Sequence, residues 1–203
     1  EGPYGEWMGY YQDGYPKDRV VRIQRIYHRN DPILLGCPQG KPPHEDNRFL
    51  AYLRAGMIWD QLEKAGVPGV CGVWSPPEGG NRLMTVVALK TQYVGHGKQA
   101  GLIASQCSGG IEMNRLTVVV DDHVDVTNIQ DVVWAILARC DPERGVEIIK
   151  DTKGSRIDMA IAPDQRELNA NSRIIIDATT PFTWKSHPLA GDIISTPERT
   201  RAI

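Results

Sequence analysis

Two hydrophobic periods organise the chain. Within Val20 to Tyr27, Val21-Arg22-Ile23-Gln24 alternates apolar and polar, the period of a half-buried strand. Arg29-Asn30-Asp31-Pro32 is a turn signal, and Ile33-Leu34-Leu35-Gly36-Cys37 reads as a second short strand, so 20–37 is expected to form a hairpin at the edge of a barrel or sheet. The period then changes. Phe49, Leu53, Met57 and Leu62 recur at helical spacing and predict a helix over 44–65 with these four as its packed stripe. Gly66 supplies its C-terminal cap and Pro68 a stop.

Beyond Pro68 short apolar runs alternate with helical patterns. Strands are expected at 70–73, 83–89, 116–120, 147–149 and 173–176. An alanine-rich helix follows Gly95-His96-Gly97-Lys98 and runs to about Cys107. A capping box, Thr127-x-x-Gln130, opens another that runs to about Arg139. Continuous Val/Ile/Leu strands separated by helices predict an α/β layer with both faces covered. Residues 181–203 form a proline-bearing tail without a clear period.

Composition adds limits. The chain has 203 residues, 41% hydrophobic and 24% charged, enough for a sizeable core without disulfides. A formal net charge of -2 gives no basic field for nucleic acid or anionic membrane. No apolar run approaches a membrane span, and no signal peptide opens the chain. The four cysteines, Cys37, Cys71, Cys107 and Cys140, have dissimilar flanks and no C-x-x-C or Cys/His ligand spacing. They read as reduced, mostly buried thiols of a cytoplasmic protein, and no metal ligand is assigned. The opening on Glu1, without Met and inside a glycine-rich turn, reads as part of a longer protein.

Several positions are candidates for chemistry. Glu1 and Glu6 lie five residues apart across a turn that Gly2, Pro3 and Gly5 make sharp. Crowded carboxylates repel, so one tends to hold its proton, which suits a general acid; a solvated acidic turn has the same spacing. Lys90 follows the 83–89 strand at the carboxyl end, where α/β sheets bind ligands, with Lys98 as the competing position. His96, between two glycines, could line a substrate mouth or serve the helix start. Asp121, Asp122 and Asp125 lack the glycine and terminal glutamate of a calcium loop and read as structural carboxylates before a helix. Pro76-Pro77-Glu78-Gly79-Gly80 reads as a surface turn.

Ordered segments over nearly the whole chain resemble UbiD-family decarboxylases. Glu1 to Tyr11, EGPYGEWMGYY, is similar to the family's E-G-P-x-G-[ED]-x-x-G-Y-Y. Leu89 to Lys98 resembles I-K-x-x-Y-x-G-H-A-[KR], with Gly97 where alanine is usual. Val119 to Val126 resembles V-V-D-D-D-V-D-V/A, with His123 in place of an acidic residue. Trp134 to Pro142 resembles W-A-x-x-T-R-x-D-P, with Ala138 in place of threonine, and Ile175 to Thr179 resembles G-x-D-A-T.

The resemblance implies an architecture: an α/β (α+β overall) protein in which residues 1–42 end a flavin-binding split β-barrel. A linker helix over 43–67, a three-layer α/β domain over 68–180 and a tail over 181–203 follow. It also implies reversible, non-oxidative decarboxylation of an aromatic or α,β-unsaturated acid on prenylated FMN, the electron sink, with CO2 released or consumed. Glu6 would be the proton donor, Glu1 would hold an arginine supplied upstream, Lys90 would reach the cofactor phosphate, and Ile136 matches a pocket-shaping position. Mn2+ or a similar divalent ion and K+ would be held by ligands upstream of Glu1. A flavin prenyltransferase would supply the cofactor, and a homo-oligomer, dimer or hexamer, is expected. The rival readings are a non-catalytic assembly or scaffold piece of the same fold and an ordinary α/β nucleotide-binding module; the absence of G-x-G-x-x-G weighs against the latter.

Overall fold

The computed structural model describes residues 3–12 and 19–184. Its body is a five-stranded sheet of β3 (Val70–Trp74), β4 (Met84–Leu89), β5 (Leu116–Asp121), β6 (Val146–Lys153) and β7 (Ala170–Ala178). The order is β3-β4-β5-β7-β6, with β4, β5 and β7 mutually parallel and the two edge strands antiparallel. All five expected strands are present. The 83–89 and 116–120 runs are apolar except for Thr85 and Thr117, which are buried and hydrogen-bonded to Asn114, because both faces are covered.

Side-chain alternation divides the core. On one face Val87, Leu89 and Val119 pack under α1 (Glu45–Lys64) and α2 (His96–Gln106), meeting Ile58, Leu62, Ala100 and Ala104. On the other face Val86, Ala88, Val118 and Val120 pack under Val132 and Ala135 of α3 (Ile129–Arg139). The result is three layers, helix–sheet–helix. Each of these fully buried valines and leucines stabilises the fold by about 1.5–3 kcal/mol.

The helix expected at 44–65 forms, but its buried stripe differs. Asn47, Ala51, Ala55, Ile58 and Leu62 are the buried positions, while Phe49, Leu53 and Met57 are 67%, 54% and 52% exposed. The small alanines let the helix axis approach the sheet, and the larger apolar residues occupy a second face. Gly66 (φ 76) ends the helix in a Schellman arrangement: its N–H donates to Glu63 O and Val67 N–H donates to Leu62 O. The α3 cap also moves by one residue. The Asn128 side chain accepts from Gln130 N, while Thr127 donates its hydroxyl to Asp125 Oδ1.

The expected 20–37 hairpin is absent. Residues 19–43 form no ladder with any described segment, and Val20 and Leu35 are 95% and 101% exposed. An extended run becomes a strand only when a neighbouring backbone takes its hydrogen bonds, and no described residue does so. Before it, β1 (Tyr4–Gly5) and β2 (Tyr11–Gln12) form a two-residue antiparallel pair.

Candidate functional site

The β1–β2 pair presents Glu6. The turn closes with Glu6 N–H donating to Tyr10 O (2.9 Å) and Gly9 N–H donating to Glu6 O (2.8 Å). Gly9 (φ 85) lies against the Lys41 backbone so closely that no β-carbon would fit. The half-buried Trp7 anchors the turn to the α/β domain. Its ring lies against Gly80 (φ 59), where a β-carbon would overlap the indole, and the Arg82 guanidinium stands 5.4 Å from the ring centroid. The Pro76–Gly80 segment is therefore the seat of Trp7 rather than a plain surface turn: Pro76 and Gly80 are buried. Glu6 itself is half-buried. Its expected partner Glu1 lies outside the described residues.

Lys90 follows the last residue of β4. Its N–H donates to Gly69 O (2.8 Å), and its side chain is exposed at the carboxyl end of the parallel strands. Trp7 packs before the first residue of β4, against Gly80 and Arg82. The Trp7 anchor and Lys90 thus stand at opposite ends of a six-residue strand, roughly 20 Å long.

A cavity of about 300 Å³ opens at the carboxyl end of the sheet, beside Lys90. Its walls include Tyr93, Val94, Phe182 and Trp184, from the loop before α2 and the turn after β7. The charges around it are engaged. Lys98 pairs with Glu147, and Arg144 lies 3.8 Å from Asp141. Arg139 donates to Asp121 Oδ2 (2.5 Å), which also accepts from Thr180 N (2.9 Å), tying together the ends of β5, α3 and β7. His123 Nε2 lies 3.3 Å from the Arg139 guanidinium. Asp177 accepts from the Thr179 backbone N–H (3.0 Å) and hydroxyl (2.7 Å) and lies against Gly97 in the first turn of α2.

His96 is fully buried; its ring stacks on Tyr93 at 4.1 Å and its Nδ1 accepts from Gln92 N–H (3.1 Å). It braces the loop between β4 and α2. Burial, helped by Asp177 and Asp141, pushes the Cys140 thiol up, away from the nucleophilic thiolate. The cavity therefore offers apolar walls and paired charges, suited to packing rather than to proton transfer.

The thiols correct the sequence reading. Cys37 and Cys71 are exposed, and Cys107 and Cys140 are half-buried. Cys37 also meets His44 and Asp46, with one ligand atom of each within 4.8 Å of the others. The spacing Cys37-x6-His44-x-Asp46 was the available signal. It matches no common finger pattern. Asp125 works locally, accepting from Thr127, while its own N–H donates to Asp131 Oδ2 (2.8 Å).

Comparison with known proteins gives the relationship. The family model of the 3-octaprenyl-4-hydroxybenzoate carboxy-lyase C-terminal domain matches residues 48–178, and that of the Rift-related domain matches residues 1–42. An uncharacterized protein of Aeropyrum pernix is 30% identical across all of this chain and 41% of its own length. The open form of Sedimentibacter hydroxybenzoicus vanillic acid decarboxylase superimposes with a TM-score of 0.77 at 28% identity, over 98% of this chain and 41% of its own. HmfF from Pelotomaculum thermopropionicum, a UbiD-class enzyme in complex with FMN, gives 0.79 at 28%, over 97% of this chain and 41% of its own. An evolved dimeric form of HmfF in complex with prFMN gives 0.65 at 26%, over 97% of this chain and 39% of its own. The chain thus spans about two fifths of the length of these relatives. Matched over both its body and its opening residues, the chain belongs to the UbiD family of carboxy-lyases.

Proposed function

We propose that this chain works within a UbiD-type decarboxylase that removes CO2 from, or adds it to, an aromatic or α,β-unsaturated carboxylic acid. The observation that carries the reading is the Glu6 turn. A carboxylate is presented on a closed two-strand turn and held to the α/β domain through Trp7, Gly80 and Arg82. Such anchoring limits the positions a proton donor can reach, and orientation is where proton-transfer catalysis is won or lost. Glu6 delivers its carboxyl proton to the substrate carbon that has lost CO2, and takes it back in the reverse direction. Glu1 would set the proton inventory beside it.

Prenylated FMN is the proposed cofactor, supplied by a flavin prenyltransferase. The complexes of HmfF with FMN and prFMN support a flavin for the family. The residues described here do not complete its site. Lys90 is an exposed cation fit for a phosphate, but it stands at the far end of β4 from the Trp7 anchor, and the charged groups that line the cavity beside it are paired or hydrogen-bonded among themselves. We therefore assign the flavin ring, the Mn2+ and the K+ to residues other than these. Residues 1–42 are proposed to complete a flavin-binding β-barrel, which would supply the ladder that the extended 20–37 run lacks.

The test is absorbance and turnover of the native protein after co-expression with a flavin prenyltransferase. A modified-flavin spectrum with CO2 release from an aromatic or acrylic acid, abolished in Glu6→Gln while the spectrum persists, is the expected result. A folded protein without chromophore or turnover would overturn the reading in favour of the non-catalytic scaffold.

A further inference from the structure

We propose a divalent metal site of the zinc type at the foot of α1, formed by the Cys37 thiolate, His44 Nδ1 and the Asp46 carboxylate. It is separate from the flavin chemistry proposed above and does not rest on it. The three side chains come from one short segment, Cys37 to Asp46. One ligand atom of each lies within 4.8 Å of the others, and Cys37 Sγ is 3.6 Å from Asp46 Oδ1.

The histidine is oriented as a ligand. His44 Nε2 lies 3.3 Å from the Trp7 carbonyl oxygen, which can only accept. Nε2 is the nitrogen that faces this acceptor, which leaves Nδ1 facing Asp46 and Cys37. That is the outer-shell pattern of metal-bound histidines, in which one nitrogen is pinned by a carbonyl so that the other can bind. Nδ1 is buried and abuts Asp46 Oδ1.

The donor set also fits in charge and type. A thiolate, a carboxylate and a neutral imidazole together carry two negative charges, which a divalent ion neutralises. A mixed sulfur, nitrogen and oxygen set selects zinc-like ions over magnesium or calcium. Three protein ligands leave a fourth, tetrahedral position for water. The ion would fasten the exposed 19–43 segment to the first turn of α1. Through Trp7 O it would also support the turn that carries Glu6.

The experiment adds Co2+ to the metal-stripped native protein and follows the near-ultraviolet thiolate-to-cobalt band. A band saturating at one equivalent, lost in Cys37→Ser and in His44→Gln but kept in Cys71→Ser and Glu6→Gln, is expected. A divalent ion bound only by oxygen and nitrogen gives no such band, so a metal at the flavin cannot imitate it. In the unaltered protein, Zn2+ should slow alkylation of Cys37 and leave Cys71 reactive, a readout that needs no variant to fold. No thiolate band, a band that survives in Cys37→Ser, or alkylation of Cys37 indifferent to Zn2+ would overturn the site.

Discussion

The Asp177 carboxylate occupies the space where a side chain on Gly97 would be: a β-carbon there would overlap both carboxylate oxygens. The end of β7 thereby reaches the first turn of α2, where a negative charge is favoured by the helix dipole. Gly97→Ala should push the carboxylate out and cost about 1–3 kcal/mol, the usual range for overpacking. Urea denaturation measures it. An unchanged midpoint would mean that Asp177 can leave without penalty.

Arg173 is the one fully buried arginine side chain of the described core, and no carboxylate pairs with it in any described contact. Its guanidinium donates to the carbonyls of Ser105, Gly110 (3.2 Å), Ile111 and Lys153 (2.5 Å) and to Thr152 Oγ1 (2.8 Å). Burial, with Arg115 adding to it, pushes the guanidinium down to about 10. Arg173→Met would leave several buried carbonyls without donors and should cost more than ~3 kcal/mol. Arg173→Lys should restore only part of this, because an ammonium cannot span the same fork of acceptors. Equal stability of the lysine variant and the native protein would refute the clamp.

Burial raises the Cys107 thiol above its ordinary value of 9.0, against the opposing pull of nearby backbone groups and Arg54. The folded state therefore disfavours the thiolate more than the unfolded chain does. The stability this group contributes is fully present below pH 9.0 and is lost as pH rises through the higher folded value. Stability measured across that range should fall more steeply for the native protein than for Cys107→Ala. Parallel curves would show that the thiol titrates alike in both states.

The two apolar faces of α1 should answer differently to truncation. Ile58 is fully buried against β3, β4 and α2, so Ile58→Ala should cost about 2–5 kcal/mol. Leu53 is 54% exposed, and Leu53→Ala should cost less than ~1 kcal/mol. A comparable loss at Leu53 would show that something further covers that face in the native protein.

Much of the body was legible from order alone. Unbroken runs such as Val118-Val119-Val120 leave no polar face, so β4 and β5 could only be interior strands, and Gly66 before Pro68 marked the end of α1 because left-handed backbone there favours glycine. The ordered motifs from Glu1 to Thr179 also carried the family. What the sequence left open were choices that depend on a partner. Alternation at 20–37 signals strand capacity, but a ladder needs a second backbone, which no described segment supplies. The packed face of α1 went to Ala51 and Ala55 because close approach to the sheet rewards small residues, and hydrophobic spacing cannot rank two apolar faces. The meeting of Cys37 with His44 and Asp46, the seating of Trp7 on Gly80 and the placing of Trp7 and Lys90 at opposite ends of β4 are distances through space. They are set when the turns close and the layers pack, so only the tertiary structure decided them.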